Sequence, residues 1–192
     1  MSRRFSASWG LWPILAGACP AQAADQVVRE AWIDTRPQPR GDALLRRSML
    51  AAHNAARAAA GVPPLRWSEA LARDAAAYAA QLARERRFAH SPAPRGTPNQ
   101  GENLWMGTRT AYSYDEMVAG WIGERRLFRR GRFPKVSRNG DWIAVGHYTQ
   151  IIWRTTSTVG CGTAANATDE YLVCRYLPSG NVVGRDPMTG MP

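Results

Sequence analysis

Three histidines and a few well-placed carboxylates hold most of the chemistry in this 192-residue chain. His147 sits in the stretch GHYTQIIW, between a glycine and an aromatic residue. Three roles fit it: metal ligand, catalytic base or packed core side chain. Glu124 falls with Met117, Trp121 and Phe128 at spacings of 4, 3 and 4 on the apolar stripe of a predicted helix. A carboxylate on such a stripe either has a partner, because burying it alone is costly, or marks the edge that faces solvent. His90 is followed by Ser91, but adjacency alone does not activate a hydroxyl. His53, in HNAAR on the first predicted helix, has no named partner and reads as a structural or surface residue. Neither GxSxG nor HExxH occurs, so no local motif supports nucleophilic hydrolysis or a zinc-protease helix.

The N-terminal residues read as an export signal. Arg3 and Arg4 precede the apolar run WGLWPILAGA (9–18), and AQA (21–23) is a small-x-small cleavage site, giving a signal peptide over 1–23 and a mature chain from Ala24. The apolar run is too short to span a bilayer, and no later run approaches the required length. Cys19, in LAGAC, offers an alternative as a lipid-anchor site, although the leucine lies one position too far upstream for a good match. Export predicts a secreted or periplasmic protein in an oxidising compartment. The cysteines left after cleavage, Cys161 and Cys174, then favour a disulfide over two buried free thiols. STVGCGTA and EYLVCRYL both alternate apolar and polar residues around the turn-rich ANATDE, so the two cysteines can lie on adjacent antiparallel strands.

Lys+Arg is 25 against Asp+Glu 15, a net charge of +10, and Lys135 is the one lysine. The Ala- and Arg-rich usage points to a high-GC bacterial source. Arg125, Arg126, Arg129, Arg130, Arg132, Lys135 and Arg138 crowd one segment. With Phe128 and Phe133 as apolar anchors, Arg129, Arg130 and Arg132 form a candidate surface-binding loop for anionic lipid or cell-wall polymer; the plain alternative is a solvated charged loop. Export argues against nucleic acid as a partner.

The elements that must position these residues follow from punctuation and periodicity. Residues 24–41 read as an extended lead-in. A helix is predicted from Asp42, as N-cap, to Ala60, stopped by Gly61 and Pro63. A second starts at Ser68 and ends near Arg87, with Leu71, Ala75, Tyr78, Ala79 and Leu82 on one face. Residues 90–100 form a loop and 101–107 a short strand. Ser113 and Glu116 have capping-box spacing at the start of a third helix. Residues 129–145 read as a loop, HYTQIIW as a short helix or turn, and 177–192 as a turn-rich tail after the cysteine strands. The order predicts one α+β domain over 42–192 with a small antiparallel sheet.

Four segments together, GHYTQIIW, GENLW, HSP after the second helix and YLVCRYLPSGNVVG, resemble the CAP superfamily of cysteine-rich secretory, antigen 5 and pathogenesis-related 1 proteins, also called the SCP domain. The likeness runs from Leu44 to Gly184. It implies a three-layer α-β-α sandwich whose central cleft carries two histidines and two glutamates, which fall here on His90, Glu102, Glu124 and His147. It implies a divalent-metal site, for which neutral imidazole suits zinc, with the carboxylates as ligands or as orienting partners. It also implies a Cys161–Cys174 bridge. The basic segment before GHY contributes to sterol binding in some relatives, but its sequence here is too different to carry that role over. The expected function is a secreted ligand- or partner-binding module. The alternatives are a metal-dependent hydrolase using the same cleft and a protein that binds lipid or anionic surfaces.

Overall fold

The computed structural model describes residues 36–92 and 100–192. The expected signal peptide, the Cys19 alternative and most of the expected lead-in lie outside the described residues. Helix α1 spans Asp42–Ala60. Gly41 takes the N-cap position expected of Asp42, which instead places its carboxylate in the first turn, where the helix dipole favours it. Gly61 closes α1 in the left-handed conformation, its N–H turned back to the carbonyls of Ala58 and Arg57. After the two-residue strand β1, Arg66–Trp67, Ser68 caps helix α2, Glu69–Glu85, by accepting from the Leu71 N–H. Strand β2 is Gly101–Thr108.

Helix α3, Tyr114–Gly123, opens on the expected Ser113–Glu116 capping box, with both of its reciprocal bonds present. It ends earlier than the apolar stripe predicts. Glu124–Arg126 continue as a 3-10 turn, so Glu124 and Phe128 are not on one helical face with Met117 and Trp121. Gly120 and Gly123 weaken the last turn, and the Glu124 carboxylate is drawn to the next helix. A second 3-10 turn, Trp142–Val145, leads into α4, Gly146–Ile151. Strands β3, Thr158–Ala165, and β4, Asp169–Leu177, follow.

The sheet order is β1-β3-β4-β2. β4 pairs antiparallel with both β2 and β3, as expected, while β1 adds a short parallel edge and makes the sheet mixed. The pleat sends alternate residues to opposite faces. Leu104, Tyr171 and Val173 meet Ala75, Tyr78, Ala79 and Leu82 of α2 on one face. Val159, Cys161, Leu172, Cys174 and Tyr176 meet α1, α3 and α4 on the other. The result is the α-β-α sandwich, held within the single compact unit Arg36–Pro192.

The glycines around Cys161 now have a physical role. A Cβ on Gly160 would stand 2.3 Å from the Ala72 nitrogen, and one on Gly162 would stand 2.4 Å from the Ala76 nitrogen. Their hydrogens let the α2 backbone sit directly on β3. Cys161, pointing to the opposite face, is in register with Cys174 and bonded to it, with Cα atoms 4.1 Å apart.

One buried cation sets how α1 meets the other helices. Arg57, in the last turn of α1, is wholly buried. Its Nε donates to the Pro63 carbonyl (2.6 Å), its Nη1 to those of Ile151 and Trp153 (2.9 Å each) and its Nη2 to that of Thr156 (2.9 Å). Burial, helped by the nearby charge of Arg154, lowers its pKa to about 10, so it stays charged at neutral pH.

Two outcomes test this packing. Native protein should show no alkylatable thiol at Cys161 or Cys174 by intact mass, and reduction should lower unfolding stability in urea by about 3 kcal/mol. Gly162→Ala should cost about 1–3 kcal/mol in the same assay, because the new methyl meets main chain rather than a flexible side-chain end.

Candidate functional site

Two histidine–carboxylate pairs form around β2 and α4. Glu102, the second residue of β2, has a side chain only 7% exposed, while that of His90, after α2, is 64% exposed. His90 Nδ1 lies 2.7 Å from Glu102 Oε1, and the Ser91 backbone N–H donates to the same oxygen at 3.0 Å. Arg175, opposite Glu102 on β4, brings Nη2 to 3.0 Å from Oε2. That contact is an ion pair without hydrogen-bond alignment, since Oε2 has no hydrogen-bond partner. The Arg175 guanidinium also lies over the Tyr78 ring at 5.2 Å. The Tyr78 hydroxyl donates to the Ala89 carbonyl at 2.7 Å and so ties the His90 segment to α2. Burial pushes the Glu102 carboxyl upward, but the hydrogen bond from His90, the Arg175 charge and the Ser91 N–H outweigh it and hold the group below the usual carboxylate range.

Glu124 forms the second pair. Its Oε1 lies 2.6 Å from His147 Nδ1, and its Oε2 accepts from the Tyr148 N–H at 3.0 Å. The stripe carboxylate therefore has a partner, which is why α3 gives way to a tighter turn. Trp121 stacks on His147 with ring centroids 5.7 Å apart and planes 17° from parallel, and its Nε1 donates to the Leu104 carbonyl on β2. Asn103, beside Glu102, donates to the His147 carbonyl at 3.2 Å and to the Tyr176 hydroxyl at 3.1 Å. Both pairs thus rest on β2.

A carboxylate only accepts, so each Nδ1 carries a hydrogen, and in the neutral form of each ring Nε2 is the nitrogen with the lone pair. Among the described residues no hydrogen bond engages either Nε2. Nor do three or more His, Cys, Asp or Glu side chains gather as a ready-made metal group among those residues. Each imidazole has its own carboxylate behind Nδ1, an arrangement of the kind that orients histidines at metal sites. Glu102 and Glu124 each fix the orientation of one histidine ring.

His53 is a core residue and not a surface one. Its Nδ1–H donates to the Met49 carbonyl at 2.7 Å, and its Nε2 accepts from the Tyr176 hydroxyl at 2.8 Å. Burial lowers its pKa from 6.5 to about 4. Asn103 and Tyr176 were not singled out in the sequence. Asn103 lies inside GENLW and Tyr176 inside the second cysteine strand, and neither motif shows that their side chains meet.

Arg129, Arg130 and Arg132 are exposed, as a surface-binding loop requires, with Arg129 Nε bonded to the Ser137 carbonyl at 2.9 Å. The expected anchors are a correction. Phe133 is buried against Trp142 and Trp153, and half-buried Phe128 packs on Tyr148. Both rings help hold the loop down, and Phe133 leaves no apolar group for a surface.

Residues 50–176 match the cysteine-rich secretory protein family, CAP. The chain is 35% identical over 137 residues to the pathogenesis-related protein PR-1 type of Sambucus nigra, covering 71% of this chain and 77% of that protein. It is 36% identical over 139 residues to pathogenesis-related protein 1C of Nicotiana tabacum, covering 72% and 77%. Among solved structures, that of NaASP2 with Zn2+ superposes with a TM-score of 0.63 at 23% identity, over 78% of this chain and 88% of that one. BmVAL-1 gives 0.61 at 22% identity, over 77% and 82%. At these identities the structural likeness is one of fold.

The buried His53 generates a pH prediction. Its folded pKa is depressed, so the unfolded state binds more protons between pH 6.5 and about 4. Its contribution is fully present above pH 6.5 and falls as pH drops toward 4, by about 3 kcal/mol in all. Urea unfolding across that window should show the decline. His53→Gln should be less stable at neutral pH but should show a shallower decline than the wild type.

Proposed function

This chain belongs to the cysteine-rich secretory protein (CAP) family, and from that premise we propose that it is an exported binding module whose cleft takes up a divalent cation, zinc foremost, through His90 Nε2 and His147 Nε2. The observation that carries the reading is the pairing of each Nδ1 with its own carboxylate, at 2.7 and 2.6 Å, which turns the other nitrogen of each ring into a lone-pair donor. A cation held there would supply positive charge for an oxygen or an anionic group of a ligand. The protein's own part is positioning. Arg175 and the Ser91 N–H keep Glu102 ionised, Glu124 bridges the first turn of α4, and Trp121 fixes the plane of the His147 ring. NaASP2, which shares this fold, was solved with Zn2+, and that supports zinc as the first ion to try.

Export rests on the charged and apolar N-terminal pattern over 1–23, on the family's secretory character and on a disulfide suited to an oxidising compartment. A metal-dependent hydrolase would use the same four residues. The binding reading is preferred because the oxygens of both carboxylates are already engaged, Glu102 by His90, Ser91 and Arg175 and Glu124 by His147 and Tyr148, which leaves neither free as the base a metal-activated water needs.

Calorimetric titration of zinc into metal-free protein tests the reading. His90→Ala and His147→Ala should each weaken binding sharply, Glu124→Gln by about tenfold, and His53→Gln hardly at all. Affinity should fall as pH drops through the histidine range. Equal affinity in the wild type and in a His90/His147 double alanine variant would place the site elsewhere. Zinc-dependent turnover of a peptide, ester or glycan substrate, lost with either histidine, would put the hydrolase ahead.

A further inference from the structure

The outer edge of β3 is covered at one end only. β1 is two residues long and pairs with Thr158 and Val159. Along that ladder the Ser157 carbonyl accepts from the Arg66 N–H at 3.0 Å and the Val159 carbonyl from the Ser68 N–H at 2.9 Å. Successive residues of a strand turn their main-chain groups to opposite edges. Cys161 and Thr163 therefore point N–H and C=O the same way as Val159, away from β4. The 4.1 Å between the Cα atoms of Cys161 and Cys174 agrees, since the closer pairs of an antiparallel ladder are those that exchange no hydrogen bonds. The next acceptor in line would be the Ser68 carbonyl, but it takes the Ala72 N–H at 3.0 Å as the chain enters α2. Among the described residues no hydrogen bond reaches this edge at Cys161 or Thr163, although Cys161 is only 3% exposed. Main-chain groups so deeply placed are ordinarily paired.

The bare edge is the floor of a groove of about 790 Å³. Arg47, Leu50 and Ala51 of α1 stand on one side, and Arg73 and Ala76 of α2 on the other. Trp67 also lines it, and its indole Nε1 is a buried donor without an acceptor. Arg46 and Glu69, on opposite walls, pair with each other at 2.7 Å. That leaves Arg47 and Arg73 against Asp42 among the charges of the lining. Neither arginine has an ion pair among the described residues.

We propose that this groove takes up an extended peptide with an acidic side chain, which adds to the sheet as a strand beside β3. The peptide main chain pairs with Cys161 and Thr163, and its carboxylate lies between Arg47 and Arg73. Pairing at an edge supplies affinity through main-chain hydrogen bonds, while the walls select side chains. Alternate side chains of the peptide turn toward α1 and α2. α1 offers Leu50, and α2 offers Ala72 and Ala76, which suits aliphatic and small residues in alternation. A lone strand fits between the two helices. A second copy of β3 would bring its own α1 and α2 against these walls. A fatty chain would fill the apolar lining and leave the main-chain groups of the edge unpaired. The site is separate from the His/Glu cleft and does not depend on metal there.

Selection of random linear peptides of about eight residues, about 26 Å long when extended, on the disulfide-bonded protein tests it. Selected sequences should carry an acidic residue and alternate aliphatic with small side chains. The synthetic peptide should slow hydrogen exchange at the Cys161 and Thr163 amides. Its nitrogens fall into two alternate sets, one facing β3 and one facing away. Methylating the first set should abolish binding, and methylating the second should leave it. Arg47→Glu/Arg73→Glu should weaken the peptide about tenfold or more with the melting temperature unchanged, because both side chains are exposed. A selection that yields no peptide protecting these amides would overturn the proposal. So would a peptide that keeps its affinity with either set methylated, which would mark a side-chain groove and not a sheet edge.

Discussion

Arg57 is a full positive charge inside the protein whose four hydrogen bonds all end on backbone carbonyls. Desolvating a guanidinium is costly, and here the cost is offset by carbonyls that need donors of their own. That of Ile151 lies at the end of α4, where helix carbonyls are left without partners. The arrangement brings three places to one point: the end of α1, the end of α4 and the approach to β3. Because α4 is only Gly146–Ile151, fixing its end also fixes its start, and His147 is the second residue. The His147 imidazole is thus positioned partly by a clamp at the far end of its helix.

The two pairs are not equivalent. His147 is held from several sides, by Glu124 at the ring edge, by Trp121 across the ring face and by Asn103 at its carbonyl. His90 is held through Glu102, while the Ala89 carbonyl anchors its segment to Tyr78. The polar line continues inward from Asn103 to Tyr176, His53 and the Met49 carbonyl. Buried chains of this kind hold their members to one geometry as long as every donor has its acceptor. Of the two histidines, His147 is therefore held from several sides, while His90 is exposed and backed by a buried carboxylate.

Much of the scaffold was legible because its signals are local. Ser68, the Ser113–Glu116 box and Gly61 each act within one turn of chain, and each ends or begins a helix where the residue types say it must. The cysteine strands were legible from alternation, which is also local. The four cleft residues were brought together by resemblance and not by spacing, because they lie on separate segments. Which carboxylate meets which imidazole depends on how β2 and α4 approach, and nothing near Glu124 in sequence encodes His147. The same reasoning explains the misses. A helical stripe through Phe128 assumed that α3 would continue, whereas a tertiary hydrogen bond from Tyr148 outweighed periodicity. Phe128 and Phe133 looked like surface anchors because aromatic residues in a basic loop read alike whether they point in or out. Arg57, in an alanine-rich helix, gave no sign of its buried partners.

Trp121 touches both inner histidines, stacked on His147 and edge-on to His53 with centroids 6.5 Å apart. An indole face is sensitive to positive charge placed over it. Whatever adds charge to the His147 ring, a proton or a cation on its outer nitrogen, acts on the π-system of Trp121 directly. The protein thus carries its own optical probe of the His147 ring, built from a residue that holds that imidazole in plane.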